Sequence, residues 1–152
     1  MNILMVCLGN ICRSPLAHGL LRKKIKINNI NASVDSAGTS SYHIGEPPDY
    51  RMIMTAKVNN ISIEDLKARQ FSTKDFHDFD LIYVMDKDNY DNVILLAENK
   101  EQKEKVKMIL NEINQGMNHN VPDPYYGGDH GFEEVFSMLD QATDVIINNL
   151  LK

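Results

Sequence analysis

Cysteine is scarce in this chain of 152 residues, which carries only Cys7 and Cys12. Two thiols so close together build no disulfide framework, and without further cysteines or paired histidines they make no zinc site. A basic excess is missing too. The formal net charge of −5 argues against a nucleic-acid partner, which usually demands a basic stripe, and the cluster Arg22, Lys23, Lys24 and Lys26 reads as a solvated helix face. No apolar run approaches the ~18–20 residues of a membrane span. Met1 leads directly into an apolar strand, without the basic segment, apolar stretch and cleavage site of a signal peptide, so a cytoplasmic protein is expected. Internal repeats, low-complexity tracts and long linkers are lacking as well. Residues 1–152 are therefore read as one domain, whose 43% apolar content suffices for a core.

What is present is concentrated near the N-terminus. Asn2-Ile3-Leu4-Met5-Val6 is short, apolar and partly β-branched, as suits a strand buried on both faces. It runs into Cys7-Leu8-Gly9-Asn10-Ile11-Cys12-Arg13, followed by Ser14 as a candidate N-cap and Pro15 as a first helical residue. Leu16, Gly19, Leu20, Lys23 and Ile27 continue at helical spacing. A loop between a strand and a helix can aim several backbone N–H groups and the positive helix end at one point, which makes an oxyanion site. Cys7 at the strand's end feels that field and the charge of Arg13, so it is expected to be ionised at neutral pH. The planar fork of Arg13 suits two oxygens of one phosphoryl group. Gly9 and Asn10 are the residues best able to take a positive φ in a loop wrapped around a small anion. The Gly-Lys-Ser/Thr ending of a Walker loop is absent, and the pattern points to a site that holds a phosphate and attacks it.

Further along, a strand is expected over 34–37, a helix over 49–58 capped near Asp49, a short helix over 72–76 and a strand over 80–85. A helix over 88–99, a strand over 106–110 and a long amphipathic helix over 131–150 complete the chain. Strands alternating with helices imply a parallel α/β sheet that binds ligands beyond the strands' carboxyl ends, where Cys7 sits. Transfer of a phosphoryl group to a thiolate also needs an acid for the departing oxygen. Asp123, between Pro122 and Pro124, is the best candidate, although an Asp-Pro pair is by itself ordinary turn chemistry.

Val6 to Pro15 resembles the phosphate loop of the low-molecular-weight protein tyrosine phosphatases over nearly all ten positions. The resemblance extends to Asp35-Ser36-Ala37-Gly38-Thr39, Gly45-Glu46-Pro47-Pro48-Asp49, Lys67-Ala68-Arg69-Gln70, Met85-Asp86 and Val121 through Tyr126. It implies a four-stranded parallel sheet flanked by helices on both faces, with the phosphate loop after the first strand. It also implies hydrolysis of phosphotyrosine in proteins through a cysteinyl-phosphate, releasing inorganic phosphate with no metal or other cofactor. Cys7 would be the nucleophile, Arg13 the phosphate clamp and Asp123 the general acid and base. Leu8, Gly9, Asn10, Ile11, Cys12 and Ser14 would bind substrate together with wall residues Tyr42 and Tyr125. Asn10, Ser14 and Ser36 would form the network that shapes the loop and supports the thiolate.

The chain departs from the family where a histidine usually precedes Lys-Ala-Arg-Gln. Leu66 stands there, so a less rigid loop or a substituting water is expected. Phosphoarginine-specific relatives resemble the chain but tend to carry threonine where this one has Ile11, which favours phosphotyrosine. An arsenate reductase of the same fold would need two further cysteines downstream, and there are none after Cys12. Cys12 itself could pair with Cys7 under oxidation or be merely a small buried residue.

Overall fold

The computed structural model describes residues 1–127 and 129–152. Strands and helices follow in the order β1 (Asn2–Cys7), α1 (Arg13–Ile27), β2 (Ser33–Gly38), α2 (Tyr50–Val58), α3 (Asp75–Asp78), β3 (Leu81–Val84), α4 (Lys87–Leu96), α5 (Lys100–Glu104), β4 (Val106–Met108) and α6 (Asp129–Leu150). All strand pairs are parallel, in the order β2-β1-β3-β4. Because β1 lies inside the sheet, each face of it needs an apolar cover. Ile3, Met5 and Cys7 face a cluster containing Leu16 and Leu20 of α1 and Leu139 and Ile146 of α6. Leu4 and Val6 face the other cluster, with Phe76 of α3 and Val93 of α4. Full burial of each such aliphatic side chain contributes ~1.5–3 kcal/mol, so the alternation along β1 fixes its register against slippage.

Several boundaries differ from expectation for identifiable reasons. Helix α1 begins at Arg13 with Cys12 in the N-cap position and no side-chain cap; Ser14 does not cap it, because its hydroxyl is taken up by Cys7 and Asn10. The buried face of α1 runs through Ile25, leaving Ile27 exposed. The helix expected over 88–99 ends at Leu96, and a separate helix, α5, follows from Lys100. Asn99 caps α5 by accepting from Gln102 N, and Gln102 Oε1 accepts from the N–H of Glu98, the residue before the cap, so that a new helix starts here. Strand β4 stops at Met108, where a 3-10 turn over Ile109–Glu112 begins. Within the basic cluster of α1, Arg22 pairs with Asp65 at 2.9 Å and Lys24 with Asp140 at 2.7 Å and Asp144 at 2.8 Å, while Lys23 donates to Asn60 O. Among the described residues, no helix is long and apolar enough to cross a membrane.

Candidate active site

The parallel sheet delivers Cys7 to the carboxyl edge between β2 and β3. The loop that follows packs against the end of β2 so closely that a Cβ on Gly38 would lie 2.7 Å from Leu8 O, 3.0 Å from the Gly9 carbonyl carbon and 3.1 Å from Asn10 N. Only glycine admits that approach. Past Gly38, Thr39 N–H donates to Cys7 O and Ser40 N–H to Leu8 O, both at 2.9 Å, while Asp49 N–H donates to Ile11 O at 2.8 Å. The loop's carbonyls are thus turned outward. Its amides, from Leu8 to Arg13, donate to no acceptor among the described residues, the arrangement of an anion nest.

Asn10 supplies the one positive φ of the loop, +57°. Gly9 does not; its lack of a side chain serves instead the close approach of His43, whose Cδ2 would sit 3.0 Å from an added Cβ. Asn10 is buried with both ends of its amide engaged, Nδ2 donating to Ser14 Oγ at 2.7 Å and Oδ1 accepting from Arg69 N at 3.1 Å. The Lys-Ala-Arg-Gln block therefore braces the loop through a backbone amide, and Leu66 packs against the core. Ser14 Oγ lies 3.0 Å from Cys7 Sγ and 3.4 Å from Ala37 O. The hydroxyl has one proton to give, and the sulfur is the nearer of the two groups it can serve. Ser36 is placed differently: its Oγ meets His18 Nδ1 at 3.0 Å, behind the loop. Burial pushes the His18 imidazole down to about 4, against opposing pulls from Asp35 and Asp65, so it is neutral at pH 7.

Arg13 is only 2% exposed. Its Nη1 donates to Asp86 Oδ2 at 2.6 Å and to Val121 O at 3.0 Å, while Nη2 stands 3.6 Å from Asp123 Oδ2. Burial works against its charge, but Cys7, Asp86 and Asp123 outweigh that and raise its pKa above the ordinary arginine value. Asp86 does double duty, since its Oδ1 caps α4 by accepting from Asn89 N at 2.8 Å. Asp123 is both acid candidate and turn residue: Oδ1 accepts from Tyr125 N at 3.0 Å, capping the 3-10 turn Pro124–Tyr126, and Oδ2 faces Arg13. Cys12 is buried, and desolvation holds its thiol well above the usual range, with Asp49, Cys7 and Asp123 adding to the effect. Both cysteines are free thiols.

These groups line a cleft of about 90 Å³. It brings together the expected Cys7, Leu8, Gly9, Ile11, Cys12, Arg13, Tyr42, Asp123 and Tyr125. Asn10 and Ser14 stand behind the wall as supports, and Ser36 lies farther back. Sequence reasoning missed Ser40, His43 and Tyr126 at the mouth and Asp86 beneath Arg13. Asp86 was within reach, since it follows the strand next to β1 and so lies on the same carboxyl edge; nothing in the pattern around His43 signalled it. A larger groove of about 660 Å³ borders β4 and α6, but it holds neither a thiol nor an acid facing one.

Known proteins resemble this chain in sequence and in fold. The family described as low molecular weight phosphotyrosine protein phosphatase matches residues 2–152. A Synechocystis protein described as a low molecular weight protein-tyrosine-phosphatase is 44% identical over 100% of the chain and 98% of its own length. The Homo sapiens low molecular weight phosphotyrosine protein phosphatase is 41% identical over 89% of the chain and 86% of its own. Among solved structures, a protein tyrosine phosphatase from Entamoeba histolytica superposes with a TM-score of 0.92 at 37% identity, covering 99% of this chain and 97% of that one.

Proposed function

The chain belongs to the low molecular weight phosphotyrosine protein phosphatase family, and from that membership we propose that Cys7, Arg13 and Asp123 carry its hydrolysis of phosphotyrosine in proteins. In the first step Cys7 Sγ attacks phosphorus in line. The S–P bond forms as the P–O bond to the tyrosine breaks, and the departing oxygen takes a proton from Asp123. In the second, Asp123 as carboxylate accepts a proton from the water that attacks the cysteinyl-phosphate, releasing inorganic phosphate and the free thiolate. The equatorial oxygens are stabilised in both steps by the amides of residues 8–13 and by the free edge of Arg13.

The observation that carries this reading is the position of the Cys7 sulfur, 3.0 Å from the Ser14 hydroxyl, in a nest of amides that have no acceptor among the described residues. Ile11, Tyr42 and Tyr125 give the cleft apolar and aromatic walls, which favours phosphotyrosine over phosphoserine. A catalyst that depends on a reduced thiol suits a cytoplasmic setting.

Hydrolysis of a series of aryl phosphates by wild type, Cys7→Ser and Asp123→Ala tests the assignment. Cys7→Ser should show no turnover. Asp123→Ala should lose about 10²–10⁴-fold with poor leaving groups and much less with good ones, because protonation then matters little. Equal losses across the series would remove Asp123 from the acid role. A preference for phosphoarginine peptides over phosphotyrosine peptides would overturn the substrate class.

A further inference from the structure

We propose that Arg51 of α2 is a positioning residue for the reaction, a strut that holds the acid loop at a set distance from the phosphate loop. The proposal rests on Asp123 being the general acid. Asp49, which caps α2, donates its N–H to Ile11 O of the phosphate loop at 2.8 Å. Its carboxylate holds Arg51, with Oδ1 accepting from Arg51 N at 2.8 Å and from Nε at 3.1 Å, and Oδ2 accepting from Nη2 at 3.0 Å. That same Nη2 donates to Tyr125 O at 3.2 Å. Tyr125 N–H in turn donates to Asp123 Oδ1 at 3.0 Å. A continuous run of bonded groups thus leads from the loop that holds the phosphate to the carboxylate that protonates the leaving group.

Aromatic packing fixes the strut's direction. The Arg51 guanidinium carbon lies 5.6 Å from the centroid of the Tyr125 ring and 4.7 Å from that of Phe132 on α6. A planar, delocalised cation can stack on rings while forking onto a carboxylate; a lysine ammonium cannot do both. Ahead of the acid, Val121 is secured by its N–H to Met85 O at 2.8 Å and by Arg13 on its carbonyl. Beyond it, Gly127 N–H closes back onto Pro124 O, which is internal to the turn, and Arg51 is the described hydrogen-bond donor that ties this stretch to the rest of the molecule. The Asp49 carboxyl is held below the usual carboxylate range chiefly by its hydrogen bond to Arg51, so the pair stays charged at working pH. The side chain is 41% exposed, and an ion pair there contributes little to stability. Its effect on an acid that must meet a leaving oxygen is larger, since small misplacements of reacting groups cost rate steeply.

The test uses the full chain as wild type, Arg51→Gln, Arg51→Lys, Asp123→Ala and the Arg51→Gln/Asp123→Ala double variant, assayed on phenyl phosphate and p-nitrophenyl phosphate. Arg51→Gln should lose about ten-fold in kcat on phenyl phosphate, a part of the whole acid contribution, and less than about two-fold on p-nitrophenyl phosphate with KM little changed. In the Asp123→Ala background it should add no further loss. Arg51→Lys, which keeps the charge, should match wild type in thermal midpoint yet show the same dependence on leaving group. Protection of Cys7 from iodoacetate by inorganic phosphate should be unaltered in both. Losses equal for the two substrates, or additive with Asp123→Ala, would reduce Arg51 to a structural role and overturn the proposal. An effect confined to KM for phosphopeptides would make Arg51 a substrate contact and overturn it as well. If Asp123→Ala alone shows no leaving-group dependence, the acid assignment fails and the strut fails with it; a normal Asp123→Ala beside an insensitive Arg51→Gln sinks the strut alone.

Discussion

Two loops meet over Cys7, and they are held in opposite ways. The phosphate loop is buried and pinned from several sides, by Thr39, Ser40 and Asp49 on its carbonyls and by Arg69 and Ser14 on Asn10. The acid loop stands at the surface, with Tyr126 almost wholly exposed and Asp123 itself partly so. The difference follows the chemistry. A nest that stabilises a transition state must be organised in advance, since any reorganisation subtracts from its effect. The carboxyl group has to deliver a proton to a large departing ring and then turn to a small water, so it sits where a side chain has room.

The contrast breaks first, and hardest, at Arg13. Lysine there keeps a charge but loses the fork shared between Asp86 and the cleft. Arg13→Lys is expected to lower kcat about 10²–10³-fold on p-nitrophenyl phosphate, the loss typical of a removed oxyanion donor. A fall below ten-fold would mean that a point charge is enough. Gly38→Ala comes next. The added methyl would press on the backbone of Leu8, Gly9 and Asn10, none of which can swing aside as a side chain would. A shift of the order of 1 Å in the loop should cost about a hundred-fold, equally for good and poor leaving groups because the acid is untouched. Wild-type rates in this variant would show that the nest yields after all.

From the other side, Pro124→Ala loosens the acid loop without touching the nest. The unfolded chain regains backbone freedom worth about 0.4–1 kcal/mol, and the turn capped by Asp123 loses its fixed φ. A loss of a few-fold on phenyl phosphate with no change on p-nitrophenyl phosphate is expected, far short of the about 10²–10⁴-fold that the acid itself contributes. A uniform loss would place Pro124 in the nest's support rather than in the acid's.

How much of this could be read from the residues also divides between the two loops. Strand β1, the turn at Cys7 and helix α1 announce themselves because local pattern and tertiary role coincide: apolar residues where both faces are covered, a proline where a helix starts. Asp123 is legible only through its prolines and the family resemblance, since a single carboxylate in a turn carries no periodic signal. Asp86 and Arg51 escape a reading of the sequence because their roles depend on partners far away along the chain, Arg13 and Tyr125. Ser14 has the local pattern of a helix cap, an ordinary role that Cys7 and Asn10 override in space. The break between α4 and α5 is present in the spacing of Asn99 and Gln102, a capping signature hidden by the continuous polar run around it.

The smallest effect on turnover, and the sharpest on stability, is expected at His18, which lies behind the nest against Ser36. Its imidazole titrates near 4 when folded, while an unfolded histidine titrates near 6.5. Between those values the unfolded chain binds a proton that the folded one refuses, so stability falls as pH drops through this window and levels off below it. At pH 4.5 the loss from this one group should be about 2–3 kcal/mol relative to pH 7, from ~1.4 kcal/mol per unit of displacement. Urea unfolding of wild type and His18→Gln at both pH values measures it. Glutamine can still reach Ser36 but does not titrate, so the variant should lose less on acidification by that amount, while other groups contribute equally to both. Parallel losses would mean that His18 is protonated in the folded chain, and that the support behind the phosphate loop carries a charge the geometry here does not accommodate.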